Sequence, residues 1–192
     1  SEFLTGSRIT LNSGFRVDAN VPFIGRINSA IGSPFAFVTD ETPTAVNRYV
    51  GWFSINLDPL TLALGEDLGV LVGYNAGGTA QFRVLIRRNA APAENRLVIQ
   101  GRDNVLGGLV EYGEEFPLVA GFNLVSLWWR ALDDRGQVLV SVNNTPLRGI
   151  EDLDNQTSWI DTVRLGLVDG APVSTVGSFY LDDFSSFRTL AP

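Results

Sequence analysis

Turn residues break this chain about every ten positions, a rhythm that leaves room for strands and hardly any for helices. Short β-branched and aromatic runs lie between the breaks. The clearest cover 45–58, 68–75, 79–88, 96–102, 122–132, 137–142, 159–168 and 177–187. Asn75-Ala76-Gly77-Gly78 separates two of them, and glycine there supplies positive φ without steric cost. Asp133-Asp134-Arg135-Gly136 and Val142-Asn143-Asn144-Thr145 read as further hairpin tips. No segment carries a convincing amphipathic helical period, although 59–68 has room for one short turn. The competing reading is a mixed α+β fold.

Within the runs, alternation separates two faces. In 79–88, Ala80, Phe82, Val84 and Ile86 point one way, and Gln81, Arg83 and Arg87 the other. In 96–102, Leu97 and Ile99 oppose Arg96, Gln100 and Arg102. In 122–132, Val125, Leu127 and Trp129 share one face, while Ser126, Trp128 and Arg130 share the other. One packed and one wet face per strand is the mark of an antiparallel sandwich whose solvated surface is rich in guanidinium.

Composition narrows the partners. The 192 residues are 45% hydrophobic, which excludes disorder and is read as one domain over 1–192. The opening Ser1-Glu2-Phe3 reads as a cloning remnant. Net charge is −7 with no basic cluster, so nucleic acid is not an expected partner. A cationic partner or a divalent metal is compatible with that charge. Cys, His, Met and Lys are all absent, and all 14 basic residues are arginine. The chain therefore has no disulfide, thiol nucleophile or structural zinc site, and it lacks the commonest general base. The missing Met is read as a sign of a processed chain or fragment. No apolar run approaches the roughly 20 residues of a membrane span, so membrane insertion is not expected.

Several segments carry a family resemblance. Leu153-Asp154-Asn155-Gln156-Thr157-Ser158-Trp159-Ile160-Asp161-Thr162-Val163-Arg164-Leu165-Gly166, continued by Gly177-Ser178-Phe179-Tyr180-Leu181-Asp182-Asp183-Phe184, resembles bacterial concanavalin A-like, laminin G-like jelly-roll domains. Phe122 to Ala131 is similar to the family strand that ends in Trp-Arg-Ala, and Val140-Ser141-Val142-Asn143-Asn144 to its following hairpin. Arg48-Tyr49 opening a long strand fits as well. The resemblance spans about 14 to 188. It implies an all-β, two-sheet antiparallel jelly-roll sandwich of about 12 to 14 strands. Its functional signal is weaker, because the family includes sugar binders, protein binders, adhesin modules and spacers.

Glycoside hydrolases of this fold need paired carboxylates in a Glu-x-Asp-x-x-Glu pattern, which none of the eight glutamates forms. Glu111, Glu114 and Glu115 read as a polar turn. Lyases of the fold usually use a His with a Tyr, and no His is present. The expectation is therefore no enzyme; catalysis would need a cleft with two carboxylates about 5 to 9.5 Å apart. The resemblance implies a structural calcium near Asp182 and Asp183, with Asp182 the leading ligand; the alternative is a capping or Arg-pairing role. Asp152-Leu153-Asp154-Asn155 fails as an EF-hand loop, because Thr157 and Val163 stand where Gly and Glu are required. Asn143-Asn144-Thr145 and Asn155-Gln156-Thr157 match the glycosylation sequon and read as coincidence.

Asp161 and Arg164 match the family pattern and read as structural. Trp129 and Trp159 are assigned to the core. Trp52 and Trp128 occupy positions that the family leaves polar and outward facing. Exposed Trp on a sheet stacks on sugar rings or anchors protein interfaces, unless loops or a neighbouring domain cover it. Trp52, Trp128 and Arg130 are thus the candidate ligand-binding residues. The expected role is a carbohydrate-recognition module of a larger bacterial secreted or cell-surface protein. The alternative is a structural or adhesive spacer that contacts extracellular protein neighbours.

Overall fold

The computed structural model describes residues 6–10, 15–18, 36–41, 43–58, 60–89, 94–133, 135–169 and 175–189. The first three residues and Asp134 lie outside them. Strand alternation sorts the described residues into two antiparallel sheets. Sheet one runs β1 (Gly6–Thr10), β15 (Val176–Thr189), β4 (Arg48–Asn56), β11 (Phe122–Arg130), β12 (Gly136–Val142) and β13 (Arg148–Leu153). Two more strands, β2 (Phe15–Asp18) and β5 (Leu60–Thr61), also pair with β15. Sheet two runs β10 (Phe116–Pro117), β8 (Asn95–Asp103), β7 (Ala80–Arg88), β6 (Asp67–Tyr74), β14 (Thr162–Leu167) and β3 (Ala36–Asp40), with β9 (Gly108–Glu111) beside β8. The expected two-sheet, all-β architecture is present, with 15 strands among the described residues rather than 12 to 14. Residues 60–68 hold no helical turn. Leu60 and Thr61 pair with β15 instead, and Gly65 turns the chain at φ +76°.

The core forms where the inward faces meet. Tyr49, Phe53 and Ile55 of β4, and Val125, Leu127 and Trp129 of β11, bury against Phe82, Val84 and Ile86 of β7. The Phe82 ring lies 5.5 Å from Tyr49 and 6.1 Å from Trp129, so one aromatic run joins the sheets. The buried Arg188 guanidinium also crosses between them. It donates to the Asp40 carbonyl (3.1 Å) and carboxylate (3.2 Å) and to the Ile160 carbonyl (3.3 Å). Ser186 donates to the other Asp40 oxygen at 2.8 Å.

Two expectations need correction. Trp159 is 47% exposed, not in the core: Ile160 takes the buried place in the bridge to Val46, and the indole folds back to donate to the Gln156 carbonyl. Gln81 is on the outward face but 1% exposed, and Leu85, four residues along the same face, is 3% exposed. Sheet two therefore has an outward face that is only partly wet. Asp161 precedes β14 and accepts from the Ala45 amide, whereas Arg164 faces outward.

The Asn143-Asn144 tip turns as the sequence suggests. Both residues take positive φ (51° and 62°), and the Thr145 amide donates to the Val142 carbonyl at 3.0 Å. These are the signs of a type I′ turn. Asn144→Val should destabilise the domain by about 1–2 kcal/mol, because a β-branched side chain resists the left-handed region. Asn144→Gly should be neutral or slightly stabilising. Urea unfolding of the two variants checks this pair of expectations.

Candidate functional site: two outward sheet faces

On sheet one, the register sets the face in rows. One row is Thr189, Arg48, Arg130 and Gln137; the next is Phe187, Val50, Trp128 and Leu139. Further on come Ser185, Trp52, Ser126 and Ser141, then Asp182, Ser54 and Leu124. Trp52 and Trp128 thus share a face, as diagonal neighbours on adjacent strands. Trp128 is 49% exposed and Phe187 44%. A groove of about 340 Å³ runs across this face, lined among others by Arg48, Trp128, Arg130, Gln137 and Phe187.

The other two singled-out residues lie on the same face, at a bulge in β15 between the Asp182–Ser54 and Ser185–Trp52 pairs. Asp183 takes φ +53°, its amide donates to the Asp182 carboxylate at 2.8 Å, and its own carboxylate accepts from Ser54 Oγ at 3.3 Å. These bonds shape the bulge. Among the described residues, no third His, Cys, Asp or Glu joins them in a metal-sized group.

On sheet two, the outward face mixes covered apolar residues with charged ones. Arg83 of β7 and Arg164 of β14 flank Val72 of β6 in one row. Arg164 is stacked between two rings, 4.6 Å from Phe37 and 5.1 Å from Tyr74. Asp169 reaches Arg83 at 3.6 Å and accepts from the Tyr74 hydroxyl at 3.5 Å. Burial and then the Asp169 charge push the Tyr74 phenol above its ordinary value, so at neutral pH it carries its proton and can donate. Arg87 differs in kind. Paired contacts to Asp67 and to Glu111, all of 2.6–3.0 Å, take four of its five donors, raise its own pKa and lower that of Glu111. Among the described residues, Arg164 has no carboxylate within ion-pair distance. Alternation in the sequence had already placed Arg83, Arg87 and Gln100 outward. The pairing of Arg164 with Tyr74 depends on neighbouring strands distant in sequence, so no local pattern reveals it.

Solved structures with similar backbones decide the fold. The alginate lyase AlyC3 in complex with dimannuronate matches with a TM-score of 0.59 at 9% identity, over 93% of this chain and 75% of that one. An alginate lyase from Alteromonas sp. 272 matches at 0.53 and 9% identity, over 80% and 79%. The family 7 alginate lyase A1-II′ with substrate matches at 0.52 and 13% identity, over 93% and 78%. This chain has the jelly-roll sandwich fold. No sequence-family model and no curated protein sequence matches the jelly-roll domain.

The expectation that the domain is no enzyme is corrected by the same comparison. Several of the jelly rolls it resembles are lyases that act on a polysaccharide, so the fold accommodates catalysis. Missing histidine and paired glutamates do not remove every acid or base either. Tyr74 and Asp169 stand together on sheet two beside two guanidinium groups.

Proposed function

We propose that this jelly-roll domain engages an acidic polysaccharide, a polyuronate of the alginate class, along the outward face of sheet two. The supporting observation is Arg164, its guanidinium carbon over the rings of Phe37 and Tyr74, with no carboxylate partner among the described residues and Arg83 two strands away. Two guanidinium groups suit a carboxylate, because each presents a rigid fork of donors. The phenol of Tyr74 offers a further donor to a glycosidic or hydroxyl oxygen, and Asp169 an acceptor. The solved alginate lyases of the same fold support a polysaccharide over a protein ligand. Such a polymer fits a secreted or surface protein.

Arg164→Gln should weaken alginate binding about tenfold or more, since a charge-assisted contact to a uronate is lost. Isothermal titration against polymannuronate and a neutral glucan measures this. Equal binding of both polymers would sink the proposal. The same incubations report turnover through the ultraviolet absorbance of an unsaturated uronate.

One observation favours a second reading, a module that contacts protein. Val105 and Leu106 at the β8–β9 tip are 76% and 72% exposed. Asn104 bonds to Thr157 and Ser158, and so holds this tip against the loop that displays Trp159. Silence toward every polysaccharide in the titration would leave this reading standing.

A further inference from the structure

We infer that the outward face of sheet one carries a second, separate site for a sugar ring bearing an acidic group. The acidic group would lie between Arg48 and Arg130, and the ring on Trp128 and Phe187.

Arg48 and Arg130 are direct cross-strand partners on one face. Like charges in that position repel and destabilise a sheet. Five other arginines sit beside carboxylates: Arg83 beside Asp169, Arg87 beside Asp67 and Glu111, Arg96 beside Glu94, Arg148 beside Glu114 and Arg188 beside Asp40. Neither Arg48 nor Arg130 has such a partner among the described residues, in a chain with seven more acidic than basic groups. Arg130 donates only a long bond, 3.3 Å, to the Arg135 carbonyl, and its Nε is buried without an acceptor. A carboxylate or sulfate between the two guanidinium groups would relieve the repulsion and take these donors.

The neighbouring row says what carries the anion. Two residues along each strand, about 7 Å away, stand Trp128 and Phe187 with Val50 between them. Both rings are close to half exposed, and the groove of about 340 Å³ spans both rows. A flat apolar shelf beside paired cations matches a pyranose with an acidic substituent, stacked by its C–H face. Gln137, next to Arg130 in the groove, adds a donor and an acceptor for ring hydroxyls.

The test follows the four indole N–H signals by NMR while a mannuronate tetramer, cellotetraose, inorganic sulfate or a hexaglutamate peptide is added to the whole chain. The acidic tetramer should shift the Trp128 signal and leave core Trp129 unmoved. Arg48→Gln and Arg130→Gln should each weaken that response at least tenfold. Their melting temperatures should stay level or rise, because the facing charges are gone. A merely structural role for the pair predicts the reverse, a loss of stability in both variants, and that result would overturn the inference. So would an equal response to cellotetraose, a response to sulfate alone, or a response to the peptide with the tetramer silent. Among the described residues no tryptophan lies on the outward face of sheet two. A ligand there leaves the Trp128 signal in place, so this inference and the proposed function fail separately.

Discussion

Arg188→Ala should cost about 3–5 kcal/mol of folding stability, measured by urea unfolding at neutral pH. The guanidinium is fully buried between the sheets, and its removal strands the buried Asp40 carboxylate with Ser186 as its remaining side-chain donor among the bonds described above. The Asp40 and Ile160 carbonyls lose donors as well. Breaking one side of a buried pair costs far more than replacing both sides. Arg188→Met combined with Asp40→Asn should therefore recover much of the loss. A single variant that unfolds within about 1 kcal/mol of the parent would show that water enters and solvates Asp40.

Phe82→Ala should cost a similar amount, about 3–5 kcal/mol. The ring is fully buried and is the middle member of the aromatic run from Tyr49 to Trp129. Its position depends on Gly73 across the β6–β7 pair, where an added Cβ would meet Phe82 Cε1 at 2.4 Å. Gly73→Ala alone is thus destabilising, because the ring must move out of the core. With Phe82→Ala present the clash disappears, and the new methyl fills part of the cavity. The double variant should then be more stable than the sum of the two single effects implies. Additive losses in a double-mutant cycle would show that the ring relaxes elsewhere.

How far the sequence reaches is plain from β11 and β4. Alternation in 122–130 separates Trp128 from Trp129 correctly, because a two-residue period is local. It also sends Trp52 opposite to Tyr49, Phe53 and Ile55. It does not tell that Arg48 stands opposite Arg130, since that depends on the register of two strands far apart in sequence. The short edge strands β5, β9 and β10 are too brief to show a period. Leu85 and Val98 face outward and are yet covered, so an apolar outward residue gives no sign of which neighbour shields it. Trp159 misleads for another reason: large apolar side chains near a strand start look like core, while Ile160 beside it holds that place.

The long strand β15 pairs with β1, β2, β4 and β5, and so closes sheet one late. Its contact from Asp183 to Ser54 joins residues 129 positions apart. During synthesis, β6, β7 and β8 can zip as neighbouring hairpins soon after they leave the ribosome. Strand β4 must meanwhile present an open edge until the last described strand emerges. That waiting edge carries Val50 and Trp52, which makes it the stretch most open to pairing with another chain before β15 arrives.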